Sequence, residues 1–250
     1  MQQEYYAEYY EYENYNWWFV SRRRIICALL KKFLPLSSEN RTILDAGCGT
    51  GINLAMLAEF GHVIGADSSE EAIKFCALRN EKEVRLAQLQ ELPFDSGSFD
   101  LVTALDVLEH IEDDYKAVAE LARVCKIGGN VLITVPVFPW LWCEHDEINH
   151  HVRRYEPKRI NALLEQNGLS VVHRSYMNSF LLPVALVWRW RKQFMRFFSS
   201  DPDIARADNM HHNPWINMLL TAIFSFEKPF VKSVGLPIGL SLVILVRKVK

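Results

Sequence analysis

From residue 41 onward, short apolar runs alternate with helical periods. The runs Thr42–Leu44, Val63–Ala66, Val84–Leu86, Leu101–Ala104, Val131–Val135, Ser170–Arg174 and Ser241–Val246 read as seven strands. Amphipathic periods at Asn53–Phe60, Ser69–Arg79, Asp113–Cys125 and Pro157–Asn167 fall between them. Strands apolar along their whole length need cover on both faces. Their alternation with helices therefore predicts an α/β, doubly wound, mostly parallel seven-stranded sheet.

Two stretches break this rhythm. Residues 1–20 hold six of the nine tyrosines, then Trp17, Trp18 and Phe19, with Glu4, Glu8 and Glu11 near helical spacing, which predicts a helix with an aromatic and an acidic face. An amphipathic helix follows Arg22, Arg23 and Arg24 and runs from Ile25 to Phe33, closed by Pro35 and the Ser37, Ser38 loop. About sixty residues separate the sixth and seventh strands, too many for a featureless loop in a compact domain. The expected divisions are 1–40, an N-terminal helical preface or lid; 41–177, the α/β domain; 178–235, a hydrophobic helical insertion or cap; and 236–250, the last strand. The insertion carries Leu181 to Trp190, Arg189, Arg191, Lys192, Arg196 and then Trp215 to Phe226, without the roughly twenty apolar residues a membrane span needs. Such helices either cap a core or lie on a membrane surface or greasy ligand.

The formal net charge of −2 draws the chain neither to nucleic acid nor to an anionic surface as a whole. Cys27, Cys48, Cys76, Cys125 and Cys143 show no metal-ligand spacing and read as reduced thiols. The polar, tyrosine-rich start resembles neither a signal nor a transit peptide, so the expected location is cytoplasmic, or peripheral at a membrane through residues 178–235.

Leu44-Asp45-Ala46-Gly47-Cys48-Gly49-Thr50-Gly51 joins a strand to a helix, and Asp67 closes the next strand. Glycines there let a ligand approach the backbone, and an acid at that strand end can accept two ribose hydroxyls. The GxGxG spacing is not the dinucleotide GxGxxG, which weighs against a nicotinamide-dependent oxidoreductase. With Gly65-Ala66-Asp67, Leu92-Pro93-Phe94, Ser98-Phe99-Asp100, Asp106-Val107-Leu108-Glu109-His110 and Gly128-Gly129 in order, residues 40–175 resemble the class I S-adenosylmethionine-dependent methyltransferases. The closest motifs are those of the group that includes ubiquinone-biosynthesis O-methyltransferases. The resemblance implies a Rossmann-like fold and S-adenosyl-L-methionine as cofactor. It places Gly47, Cys48, Gly49 and Gly51 along the cofactor, Asp67 and Ser68 at its ribose, Asp45 near the methionine amino group, Gln88 and Leu89 toward adenine, and Leu105 and Asp106 beside the methionine moiety or acceptor. Two positions depart from the family pattern: Gln88 stands for an aspartate and Ile127 for a proline.

The loop after the fifth strand, from Trp140 to Tyr155, emerges on the sheet edge where open α/β folds bind ligands. His145 is the candidate base with Asp146 as its orienting partner. Tyr15, Trp17, Trp18, Arg23, His110, Trp142, His150, His151, Arg154 and Tyr155 are candidates to line the acceptor. The competing reading is a hydrogen-bonded loop with Arg153 or Arg154 paired to Glu144 or Asp146. No metal site is expected, because no glutamate–histidine helix motif accompanies these ligand types. The aromatic N-terminus and the insertion are expected to serve the acceptor rather than the cofactor. The reading is a methyltransferase on an amphipathic or lipid-linked small molecule, O-methylation favoured. The alternatives are a non-catalytic cofactor-binding module, or a methyltransferase on a soluble polar metabolite or protein.

Overall fold

The computed structural model describes residues 3–34, 41–81, 83–188, 191 and 213–250. Pro35, Ser37, Ser38, Arg189, Trp190, Lys192 and Arg196 lie outside these residues. Seven strands form one sheet: β1 (Thr42–Ala46), β2 (His62–Asp67), β3 (Val84–Leu86), β4 (Phe99–Leu105), β5 (Cys125–Pro136), β6 (Leu169–Met177) and β7 (Ser241–Lys248). Their order is β3-β2-β1-β4-β5-β7-β6. The ladders linking β3, β2, β1, β4 and β5 are parallel, whereas β7 runs antiparallel between β5 and β6. The chain winds outward from β1 to β3 and then returns to place β4 on the other side of β1. The carboxyl ends of β1 and β4 therefore flank the switch point where such sheets open a crevice.

Alternation along the strands explains the three layers. Leu44, Val102, Ile133 and Ile244 point to one face, beneath α5 (Asp114–Val124) and α7 (Pro157–Gln166) through Val118, Leu121, Ile160 and Leu164. Their neighbours Ile43, Leu101, Leu132 and Val243 point to the other. That second face is covered by α2 (Trp17–Phe33), α9 (Pro214–Phe226) and α10 (Lys228–Lys232), through Ile25, Ile26, Leu29, Leu30, Phe224 and Val231. The preface and the insertion thus build one layer of the sandwich together.

Some boundaries differ from the sequence reading. The Asn16 side chain accepts the Trp18 N–H and caps α2, so this helix starts at Trp17 and includes Arg22, Arg23 and Arg24. The helix expected over Asn53–Phe60 is a single turn, α3 (Leu54–Leu57), amid looser turns. α1 (Gln3–Tyr15) packs on α4 (Glu70–Leu78), with Tyr6 and Tyr10 against Phe75. Helical backbone also covers residues 182–188, named α8. Among the described residues no helix is long and apolar enough to cross a membrane.

Candidate cofactor and acceptor site

The glycine loop after β1 turns over the end of β2. Gly47 and Cys48 donate their N–H groups to the Ala66 carbonyl, at 2.7 and 3.0 Å. Gly47 has φ of 84°, and a Cβ on it would meet Val107 at 2.4 Å, so only glycine fits. Gly49 also lies in left-handed space, at φ 56°, but a Cβ there would meet nothing within 4 Å. Its open side is room for a ligand. Asp67 accepts the N–H groups of Gly49 and Ser69, both at 2.9 Å, which fixes its carboxylate against the loop. Asp45 is fully buried: Thr103 donates to Oδ1 at 2.6 Å while Oδ2 has no partner. Burial raises its carboxyl to about 6, against the Thr103 hydrogen bond and the Arg22 charge.

Helices α1 and α2 close on this loop. Arg22, almost fully buried, is ion-paired with Asp106, which follows β4 in left-handed backbone at φ 58°. Thr134 donates to the other Asp106 oxygen at 2.9 Å. The Arg22 Nε is buried without a partner. Glu13 accepts from the Thr50 hydroxyl and from Arg79, and Arg79 also donates to the carbonyls of Thr50 at 3.0 Å and Tyr10 at 2.9 Å. Burial pushes the Glu13 carboxyl up, while Thr50 and Arg79 pull it down. At the other end of the crevice the Tyr9 hydroxyl donates to Asn149 at 2.6 Å. α1 therefore spans from the glycine loop to the loop after β5.

That second loop contains α6 (Glu144–Ile148) and the segment to Tyr155. Asp146 is fully buried and accepts from Arg154 Nε at 2.8 and 2.9 Å and from the Cys143 N–H at 2.8 Å. His151 Nδ1 lies 2.9 Å from its Oδ1. Burial opposes the charge, but the His151 hydrogen bond and the Arg154 guanidinium outweigh it and hold the carboxyl well below the usual range. The His151 ring meets His110 edge-on at 4.7 Å. Beside them the buried Glu109 carboxylate has one oxygen, Oε2, without a partner. Val152 donates its N–H to the Glu109 carbonyl at 2.8 Å, stitching this loop to the turn after β4.

Residues 44–133 match the family described as methyltransferase domain. The chain carries a methyltransferase domain. A probable S-adenosylmethionine-dependent methyltransferase of Mycolicibacterium smegmatis is 31% identical over 160 residues, covering 62% of this chain and 60% of its own. The ubiquinone biosynthesis O-methyltransferase of Alkalilimnicola ehrlichii is 41% identical over 103 residues, 38% of this chain and 42% of its own. The chain thus spans less than two thirds of the length of these relatives. In fold it is similar to geranyl diphosphate C-methyltransferase from Streptomyces coelicolor A3(2), with a TM-score of 0.58 at 18% identity, covering 89% of this chain and 78% of that one.

The methyltransferase domain fits S-adenosylmethionine on three local observations. The space beside Gly49 admits a ligand, and the unpartnered Asp45 oxygen suits the methionine ammonium. The unpartnered Arg22 Nε suits a carboxylate. Cys48 contributes only backbone here, since its thiol is buried with Leu54 and Cys76. Leu89 and Leu105 are buried, and Gln88 and Ser68 are exposed at the strand ends.

Several expected site residues sit elsewhere. Asp146 orients His151 rather than His145, because consecutive residues of a helix do not face each other; His145 is exposed, its ring 6.3 Å from His151. Arg154 is paired to Asp146 and Tyr155 is a core residue, its hydroxyl donating to Asp114 at 3.0 Å, so neither lines an acceptor. Trp17 and Trp18 pack on Phe224 in the second core, away from the crevice. Tyr15 is half exposed against Tyr12, Trp142 is exposed beside Glu147, and His150 is exposed at φ 55°. Arg23 donates to the Glu13 carbonyl at 2.7 Å, and the pocket arginine is its neighbour Arg22. α1 contacts the cofactor loop through Glu13, which corrects the expectation that the N-terminus serves the acceptor alone. Sequence reading missed Glu13 and Arg79, and named Arg22 and Glu109 only within the Arg22–Arg24 run and the Asp106–His110 motif. Arg22 had a signal: three, four and seven residues before Ile25, Ile26 and Leu29, it is a cation on the apolar stripe of its helix.

Proposed function

We propose that this chain is an S-adenosylmethionine-dependent methyltransferase acting on an amphipathic or lipid-linked small molecule, by O-methylation. One observation carries the reading: a glycine loop with an open side, an unpartnered buried Asp45 and a buried Arg22 converge at the switch point of the sheet. When bound, S-adenosylmethionine supplies an electrophilic methyl group on a sulfonium. Asp67 holds the ribose hydroxyls, Asp45 the ammonium and Arg22 the carboxylate. α1, bonded to Thr50 at one end and Asn149 at the other, keeps water from the crevice. Transfer needs the acceptor oxygen in line with the S–CH3 bond, so positioning is the main task of the protein.

The amphipathic acceptor class rests on the insertion. Phe180, just past β6, with Ala222, Ile223 and Phe226 of α9 lines an apolar groove, and Trp215, Met218 and Leu219 stand exposed along the same helix. Exposed apolar surface of this kind suits a greasy ligand or a membrane face. The ubiquinone enzyme and the geranyl diphosphate enzyme are named for isoprenoid-bearing molecules. Release of S-adenosylhomocysteine with fractionated lipid and polar extracts tests this reading. Turnover confined to lipid fractions is the expected result; turnover confined to polar fractions refutes the acceptor class, and no release from any fraction refutes catalysis.

A further inference from the structure

We propose that Glu109, His110 and His151 form a binding site for a first-row divalent metal ion at the acceptor side of the crevice. One ligand atom from each residue lies within 4.8 Å of the others. A transition-metal ion with bonds of about 2.0–2.2 Å would draw them closer together.

The surroundings of the two histidines resemble those of metal ligands. A ligating imidazole presents one nitrogen to the ion while the other donates to a carboxylate or a backbone carbonyl, which fixes tautomer and ring orientation. His151 meets this through Nδ1 and Asp146, at 2.9 Å. His110 meets it through a hydrogen bond to the backbone of His150. Each ring keeps one nitrogen for an ion. Asp146 is itself secured by Arg154 and the Cys143 N–H, so the supporting shell is complete without any metal.

Glu109 provides the independent observation. Its carboxylate is fully buried, with Oε2 lacking any hydrogen-bond partner. A buried, half-satisfied carboxylate is costly unless a cation meets it or it stays protonated. The cation nearest in effect, Arg22, is already paired with Asp106. Two further contacts fix the turn after β4 to the histidine loop: Val152 N–H on the Glu109 carbonyl at 2.8 Å and Arg153 on the Glu112 carbonyl at 2.8 Å.

Two imidazoles and one carboxylate suit zinc, manganese, iron or cobalt, and three protein ligands leave positions open. Under the methyltransferase reading, an acceptor hydroxyl would take an open position, lose its proton to solvent more readily, and form the O–CH3 bond as the S–CH3 bond breaks. Metal capture does not depend on that reading; only its catalytic use does.

The test uses the full chain, stripped with a chelator and titrated calorimetrically with Zn2+ and Co2+. One equivalent should bind, and Co2+ should give a visible ligand-field spectrum. His151→Ala and Glu109→Gln should weaken binding at least tenfold, and Asp146→Asn about tenfold or more by loosening His151. No binding by folded wild-type protein, or unchanged affinity in both His151→Ala and Glu109→Gln, overturns the site. S-adenosylmethionine affinity, measured on the same stripped sample, reports the cofactor reading separately.

Discussion

At the residue scale, the two acidic groups of the cofactor loop lead to different predictions. Asp67 is held by the N–H groups of Gly49 and Ser69 yet keeps lone pairs for a ribose. Asp67→Ala should weaken S-adenosylmethionine binding by about 1.5 to 3 kcal/mol, because it removes charge-assisted hydrogen bonds. Calorimetry decides this; an unchanged Kd in a folded variant refutes the ribose assignment. Asp45 adds a pH dependence. Its carboxyl, raised by burial from 3.8 to about 6, favours the neutral form in the folded chain. Its contribution to stability is therefore full below about 4 and is lost as pH rises through about 6. The methionine ammonium needs the charged form, so cofactor affinity should rise between about pH 5 and 7 and then level off. Asp45→Asn should flatten that rise. A wild-type profile without it would remove Asp45 from the ammonium site.

At the element scale, α1 acts as a clasp. Arg79 is the centre of its attachment, donating to Thr50, Tyr10 and Glu13 and lying 4.2 Å over the Tyr10 ring. Arg79→Met should cost about 1–3 kcal/mol of cofactor affinity by freeing both α1 and the glycine loop. Deleting residues 1–16 should do the same. A folded deletion variant with unchanged affinity and slowed turnover would return α1 to the acceptor side. The β-elements were legible in the sequence because apolar runs with short helical periods have few alternative readings; β1, β4 and β7 lie where the pattern put them. The clasp was not legible. It depends on tertiary pairings such as Glu13 with Thr50, across 37 positions, which no local period records. The histidine loop failed for a related reason: composition placed His145, His150 and His151 in one neighbourhood, but only the α6 geometry decides which of them Asp146 faces.

At the scale of the whole molecule, the second core joins segments distant in sequence. Phe224 of α9 is fully buried, stacked on Trp18 at 5.2 Å and edge-on to Trp17 at 5.9 Å. Ser21 donates to the Thr221 carbonyl at 3.2 Å, and Asn217 accepts the Trp17 N–H at 2.8 Å. Phe224→Ala should therefore destabilise the whole chain by about 3–5 kcal/mol, seen as one lowered Tm. A separate early transition for the insertion would show instead that it folds independently. The position of β7 also constrains the order of assembly during synthesis. This strand follows every other in sequence but lies between β5 and β6. A ribosome-bound chain that has emerged only through β6 leaves the β5 edge open and β6 without its native neighbour. An open apolar edge is a template for pairing with other chains. At about 5–20 residues per second, the residues from 178 to 248 take on the order of 4 to 14 seconds to appear. For that interval the nascent protein has its cofactor loop but not a closed sheet, and it is the stage most in need of a chaperone.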